Sequence, residues 1–543
     1  MKKWETKEQL VNLLCDLVHI PSVTGSAGEV VLPGFVVQQL RSLPYFQAHP
    51  DHVESHPTGD GREFVTALVK RRADVSKTVI LVSHFDVVDA IDYGSWEPHA
   101  FDPNRLTSLF YTHRADMPAA VQKDLSQGNW LFGRGTMDMK CGLALHMAMI
   151  EQACHGAFDG NLLLLTVPDE EVNSAGMRAA VPMLLELAKR HGLTYQAVLN
   201  SEPMFTQYPG DETNYIYTGS IGKVLPGFLC YGKETHVGEP FAGLNANFMA
   251  SRLTDALELN TDFCEVVGDE VTPPPTNLMQ TDLKTDYSVQ IPHRAVTMFN
   301  LFLYEKRMDE LVAKLLAHAE EVAADIKEKV RRQAERYRSF APFTPNQFDV
   351  KVLTYEQLHA YALQSHGQDR LESIYQEVFR RGPRDDRRVT IELVDELAIL
   401  CKELAPMIVL FFAPPYYPAV NTSKHPLIQR TVSHMIRTAE QTYGITLAHQ
   451  HYFGGISDLS YVGLQNPLST LRSLVTNMPL WERGYVVPLA ALEQFDVPVL
   501  NLGPIGRDAH QWTERLDIDF AFGPLMKLLP ECIQQLLATE TED

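Results

Sequence analysis

The sequence predicts an α/β protein with a smaller α+β unit inserted into it. Over residues 1 to about 205, short apolar runs alternate with helical patterns. That is how a sheet covered by helices on both faces reads in a chain. The same texture returns after about residue 421, and between the two stretches the order changes to strand, helix, strand, helix. The expected division is therefore 1–207 and 421–543 for the two parts of the main domain. Residues 208–420 form the insert, with an extra helical segment near 356–405.

Taken in order, the chain opens on an amphipathic helix. Leu10, Leu13, Leu14, Leu17 and Val18 recur at helical spacing with Asn12 and Asp16 between them, so the early lysines do not head a secretory leader. Lys77–Val82, Asn161–Val167 and Gln196–Leu199 read as buried strands, with helices at Gly142–Cys154 and Ala175–Lys189. In the insert, Ile216–Thr235 reads as one or two strands and Asn245–Leu259 as a helix. Asp286–Tyr304 reads as two strand-like runs and Glu305–Arg338 as a long helix. Residues 356 to 405 are helical and charged, with a break at Gly382. His425–Tyr443 reads as a helix, Val497–Leu502 as a strand and Ile518–Leu537 as a closing helix.

Composition excludes several classes of function. A formal charge of −21 argues against a nucleic-acid binder, which needs a concentrated basic face. The basic run Lys329–Arg338 alternates with Glu and apolar residues, as a solvated helix face does. No apolar run approaches the ~20 residues of a membrane span. Met407–Val420 comes nearest and is interrupted by Pro414, Pro415 and Pro418. The seven cysteines are dispersed, with no CxxC pair, which suggests free thiols in a reducing compartment. A soluble cytoplasmic protein is expected.

Five segments carry candidate chemistry, each just past an expected strand or in a loop, where open α/β sheets bind ligands. In Ser83-His84-Phe85-Asp86 the alternation of a strand points His84 and Asp86 the same way. A histidine so placed ligates a metal while the carboxylate fixes its ring, or the two form a structural pair. In Gly133-Arg-Gly-Thr-Met-Asp138-Met-Lys-Cys-Gly142 a glycine-rich turn presents a carboxylate ahead of a helix, able to bridge two cations or simply to cap the helix. The run matches neither a phosphate loop nor a dinucleotide fingerprint. Asp169-Glu170-Glu171 closes a buried strand. Like charges crowded there are costly unless a cation or a shared proton relieves them, and the alternative is an exposed acidic loop. Glu202 follows another strand, and His510 sits in a Gly/Pro-rich loop that runs on to Glu514. Mixed His/Asp/Glu donors suit zinc, cobalt or manganese. One bridging carboxylate, plus one carboxylate and one histidine per ion, would make a balanced two-metal site.

The order HxD, GxGxxDxKxG, DEE, xxEP and a late histidine resembles the co-catalytic zinc metallopeptidase and deacylase family. Its members include aminoacylase, carboxypeptidase G and succinyl-diaminopimelate desuccinylase. The resemblance implies a phosphorylase/hydrolase-like catalytic domain, a mixed sheet flanked by helices, with an inserted α+β sandwich lid. It implies two divalent ions, zinc by preference, bridged by Asp138. His84 and Glu202 would complete one site, Glu171 and His510 the other. Asp86 would orient His84, and Glu170 would be the general base. Gly232 to Ala246 resembles the family's lid motif GxxxHxxxPxxGxNA. It implies an oxyanion-binding role for His236, often across a dimer, and places Asn245 in the same motif. His236 capping the following helix is the plainer alternative. Tyr452-Phe-Gly-Gly455-Ile-Ser457-Asp458 resembles the family's substrate loop, with Gly455 and Ser457 as candidates to hold a carbonyl or carboxylate; a plain turn is the alternative.

Two departures stand out. The arginine that in the family holds a substrate carboxylate is missing, because the region reads Asn300-Leu-Phe-Leu-Tyr304. The chain is also long for the family. Both features look like its arginine-utilization subgroup. The implied reaction is hydrolysis of an amide in an N-acyl amino acid, a small peptide or an arginine-related compound, with a homodimer through the lid as the implied assembly. The rival reading is a non-catalytic binding or regulatory protein on a peptidase fold, against which stands retention of Glu170 and all five ligand-type residues. A serine hydrolase is disfavoured by the lack of a GxSxG elbow.

Overall fold

The computed structural model describes residues 2–205, 211, 213–344, 346–382 and 384–538. They form two compact units, one of Met1–Ile221, Pro418–Gln465 and Pro488–Asp543, the other of Gly222–Tyr417 and Asn466–Val487. The division expected at 207/208 lies outside the described residues, as does Pro383 in the break after Gly382. Asn466–Val487 groups with the second unit, although the sequence reading assigned it to the closing part of the first.

The first unit is built on an eight-stranded mixed sheet. Its strands run in the order Val53–Pro57, Glu63–Val69, Asn161–Val167, Lys77–His84, Thr194–Asn200, Val499–Asn501, Asn214–Tyr217, Leu447–Gln450. The centre is parallel: Lys77–His84 pairs in parallel with both neighbours, and Val499–Asn501 with Thr194–Asn200. Glu63–Val69 is antiparallel to both of its neighbours. Every residue of Asn161–Val167 is buried, as a central strand covered on both faces must be. Leu10, Leu14 and Leu17 of the helix Lys7–Val18 join the core formed by the helices Lys140–Cys154 and Met526–Leu537 with alternate strand residues such as Val79 and Leu81. The opening helix starts where Thr6 and Gln9 form a reciprocal capping box.

Register aligns the strand ends. His84 lies opposite Val167, and Val82 opposite Asn200. The residues just after these strands, including Asp86, Asp169–Glu171 and Glu202, therefore share the carboxyl edge of the parallel centre. Gly503 lets another strand end join them: a Cβ there would lie 1.8 Å from the Glu202 carbonyl oxygen.

The second unit has a five-stranded sheet in the order Thr276–Asp282, Arg294–Leu303, Gly222–Tyr231, Met407–Tyr417, Lys351–Thr354. The helices Ala246–Leu257 and Met308–Arg338 pack on it and on each other. Residues 356–405 contribute the helices Tyr355–His366, Gln368–Arg380 and Asp386–Leu400, the last packed against the two central strands. The apolar run expected to come nearest a membrane span is the buried strand Met407–Tyr417. Among the described residues no helix is long and apolar enough to cross a membrane.

Three elements differ from the sequence reading. Asp286–Tyr304 yields one strand, Arg294–Leu303, whose antiparallel partner is the edge strand Thr276–Asp282. Ile216–Thr235 divides between sheets, since Asn214–Tyr217 joins the large sheet and Gly222–Tyr231 the small one. The closing helix is broken into Ile518–Phe520, a wide turn at Ala521–Leu525 and Met526–Leu537. Pro524 sits inside that turn, where its missing N–H cannot continue a regular helix.

Candidate metal centre

His84 is the last residue of its strand and is buried. Its Nδ1 lies 3.0 Å from the Asp86 carbonyl oxygen and 3.5 Å from Asp86 Oδ1. The ring is thus held chiefly by the backbone of Asp86, leaving Nε2 aimed at a set of carboxylates. Nε2 is 3.3 Å from Asp138 Oδ1, 3.5 Å from Glu202 Oε1 and 3.9 Å from Glu170 Oε2. The second histidine reaches the other side of the same carboxylate. His510 Nε2 is 3.2 Å from Asp138 Oδ2 and 3.2 Å from Glu171 Oε1. Asp138 therefore stands between two His-plus-carboxylate pairs, one oxygen toward each.

The donor set fits divalent cations. His84 Nε2 and Glu202 Oε1 are buried without a hydrogen-bond partner. Ligand atoms of His84, Asp138 and Glu171 lie within 4.8 Å of one another, so the two histidine–carboxylate pairs meet at Asp138. The electrostatics agree. Burial pushes the Glu171 carboxyl up and the Glu202 carboxyl well up. Burial opposes ionisation of Asp138 as well, but hydrogen bonds to His510 and His84 hold its carboxyl below the usual range. Burial would lower His510, yet Asp138 and Glu171 raise it to about 11. The cluster draws in positive charge, and imidazole with carboxylate is a normal ligand mixture for zinc, cobalt or manganese.

The turn carrying Glu170 and Glu171 is fastened by Asp86. Its Oδ1 accepts from Glu170 N at 3.0 Å, and its Oδ2 from Glu171 N at 3.2 Å and Thr24 Oγ1 at 2.8 Å. The Asp86 carboxylate thus acts mainly on this turn, while its carbonyl holds His84. Glu170 is buried beside His84, and burial with the neighbouring Glu171, Glu202 and Asp458 raises its carboxyl well above normal, against the pull of His84. Glu202 is bracketed by Asn501, which accepts from its N–H at 2.8 Å and donates to its carbonyl at 3.1 Å. Glu514 accepts from Gly135 N at 2.8 Å and from Arg134 Nη1 at 2.8 Å, holding the turn that presents Asp138.

The remaining candidates make other contacts. Ser457 is buried, donates to Ser220 Oγ at 3.2 Å and accepts from Leu459 N at 3.3 Å, so its hydroxyl caps a short turn. Gly455, partly buried, precedes it in the same loop. His236 and Asn245 belong to the second unit. His236 is exposed, and its Nδ1 accepts from Gly238 N at 3.0 Å. Asn245 caps the helix Ala246–Leu257 through Asn247 N. Sequence reasoning brought together His84, Asp86, Asp138, Glu170, Glu171, Glu202 and His510, and missed Thr24, Asn501 and the role of Glu514. A polar Asn501 ending an apolar strand, like Asn200 in Leu199-Asn200-Ser201-Glu202, was the available signal.

The chain can be compared with known proteins. The chain is 50% identical over 535 residues to the uncharacterized protein YqjN of Bacillus subtilis, covering 98% of this chain and 97% of that one. It is 32% identical over 542 residues to protein RocB of the same organism, covering 98% and 95%. Its fold matches a tripeptidase structure from Staphylococcus aureus with a TM-score of 0.55 at 13% identity, over 98% and 99% of the two chains. The sequence profile of peptidase family M20/M25/M40 matches residues 80–477, a span that holds both histidine-facing oxygens of Asp138 and the acidic turn. The chain belongs to peptidase family M20/M25/M40 and is a metal-dependent hydrolase of amide bonds.

Proposed function

We propose that the chain hydrolyses an amide in an N-acyl amino acid, a small peptide or an arginine-related compound at a two-metal centre. The observation that carries this reading is the division of Asp138, with Oδ1 toward His84 and Oδ2 toward His510, each histidine having its own further carboxylate. His84, Asp138 and Glu202 would hold one divalent ion, and Glu171, Asp138 and His510 the other. Zinc is favoured by the donor set, with cobalt and manganese compatible. Bound there, such ions supply Lewis acidity that brings the pKa of water from 15.7 to about 7 and polarises a carbonyl.

The chain's own groups handle the proton. Glu170 takes one proton from water as the water oxygen attacks the amide carbon, then delivers it to the departing nitrogen. Burial raises its carboxyl, the direction that favours taking up the proton it then hands on. Asp86 keeps Glu170 in place through the backbone amides, and Asn501 does the same for Glu202. His236 is the candidate to donate to the developing oxyanion, and a homodimer through the second unit is the assembly that accompanies this role. The absent arginine near Asn300–Tyr304 favours substrates without a free α-carboxylate at the usual position.

A hydrolysis screen tests the reading. Metal-loaded protein is incubated with N-acyl amino acids, dipeptides and acylated arginine derivatives, with Glu170→Gln as the blank. Amine release by the wild type alone supports the proposal. Equal release by both proteins removes Glu170 from the base role. Sedimentation velocity tests the dimer.

A further inference from the structure

We infer that Arg62 is a positioning residue for the general base: it clamps the turn that carries Glu170 and Glu171. The inference rests on the role proposed for Glu170. Arg62 ends the tight loop between the strands Val53–Pro57 and Glu63–Val69, with its side chain largely buried. Its Nη1 donates to Asp169 Oδ1 at 2.7 Å and to the two oxygens of Glu29 at 3.1 and 3.3 Å. Its Nε and Nη2 donate to Asp60 Oδ2 at 3.1 and 2.5 Å. None of these partners is a proposed metal ligand.

Asp169 immediately precedes the base and has φ 69°, a left-handed conformation uncommon outside glycine and adopted mostly by Asn and Asp in turns. The turn closes on this residue. Its carbonyl accepts from Asn173 N at 3.2 Å and Ser174 N at 2.5 Å, and its Oδ2 accepts from Ala175 N at 2.9 Å at the head of the next helix. Asp169 Oδ1 is left to tie the turn to the rest of the unit, and Arg62 is what it meets. Behind Arg62 stands Glu29, fully buried in the helix Ala27–Arg41, with Oε2 accepting from Gly25 N at 2.6 Å. The turn is therefore held from two sides, at its amides by Asp86 and at its first carboxylate by Arg62. A planar guanidinium reaches three carboxylates at fixed angles, which a lysine ammonium cannot reproduce. Because a displacement of about 1 Å at a reacting group can cost about 10²-fold in rate, a loosened turn shows in turnover before it shows in binding.

The test compares Arg62→Ala and Arg62→Lys with the wild type in the metal-loaded full chain. Arg62→Ala is expected to lose about 10- to 100-fold in kcat with KM within about twofold and two ions still bound. Arg62→Lys, which keeps the charge and serves if the alanine variant does not fold, is expected to lose less. Added guanidinium should restore part of the Arg62→Ala loss. In a Glu170→Gln background, Arg62→Ala should cost nothing further. Wild-type kcat in folded Arg62→Ala overturns the proposal, as does a loss that persists undiminished beside Glu170→Gln and ignores guanidinium. Amide exchange over residues 170–175 gives a reading that needs no turnover. It should speed up at least tenfold in either Arg62 variant, and unchanged exchange overturns the clamp. If the wild type releases no amine from any substrate, the proposed hydrolysis fails by that result alone, and exchange still decides the clamp.

Discussion

Exchanging one oxygen of Glu170 for nitrogen tests the proton's route while leaving the side chain's volume in place. Glu170→Gln should retain both metals and lose about 10²–10⁴ in kcat, the usual worth of a positioned general base. Metal analysis beside turnover checks it. Asp138→Ala removes the carboxylate between the two histidines and should lose both ions; two ions retained at wild-type affinity would sink the bridging role. A third residue gives a pH dependence beside the strand end that carries Glu202. His146 is fully buried, and burial depresses its pKa to about 3. Ser201 Oγ donates to the Leu502 carbonyl and so accepts from His146 Nε2–H, leaving Nδ1 bare and buried. With the folded pKa below the unfolded value near 6.5, the unfolded chain binds the extra proton. The stabilisation is complete above pH 6.5 and falls by about 1.4 kcal/mol per pH unit as pH drops toward 3. A His146→Gln variant should show a shallower loss of Tm across that window, and parallel curves would refute the assignment. The seven residues at the cluster were legible because chemistry restricts them to a few residue types placed just after apolar strands. Arg62 was not, because it acts on the turn through a partner more than 100 positions away, and Asn501 offered only its polarity at the end of an apolar strand, with its partner Glu202 equally distant in the chain.

Elements that were read well are those whose pattern is decided by burial on both sides. Asn161–Val167 is apolar because it has no solvent face, and its limits in the structure match the sequence reading. Thr276–Asp282 was invisible for the opposite reason. It is an edge strand with alternating exposed positions and the composition Thr-Asn-Leu-Met-Gln-Thr-Asp, held by pairing to Arg294–Leu303 rather than by its own hydrophobicity. The break in the closing helix was signalled by Pro524 and Pro530, but the amphipathic repeat on either side outweighed them. Where two elements meet, glycine sets the tolerance. Gly503→Ala would put a methyl group 1.8 Å from the Glu202 carbonyl oxygen, a backbone atom that cannot swing aside. The strand ends carrying Glu202 and Asn501 would have to separate. The expected result is a loss of about 1–3 kcal/mol in stability together with weaker metal binding. Equilibrium unfolding and metal titration measure the two effects, and a variant as stable and as tightly metallated as the wild type would contradict the close approach.

Across the whole chain, the change in element order falls within the second compact unit, but the limits of that unit were not legible. Asn466–Val487 belongs with the second unit because of contacts distant in sequence. Asn477 donates from its Nδ2 to the Ser473 carbonyl, accepts at its side-chain oxygen from Glu356 N at 2.9 Å and offers its own carbonyl to Phe412 N at 2.8 Å. Nothing in its composition distinguishes it from the flanking segments. All seven proposed metal-centre residues lie in the first unit, while the second has its own sheet and its own buried residues. Metal binding to the folded form stabilises by RT ln(1 + [L]/Kd), about 4 kcal/mol at a thousandfold excess over Kd. That free energy can enter only where the ligands are. Calorimetry is therefore expected to resolve two transitions, of which metal raises one by several degrees and leaves the other in place. Asp138→Ala should abolish the shift without moving the second transition. A common shift of both would mean that the units unfold as one, and no shift in the wild type would count against the metal centre itself.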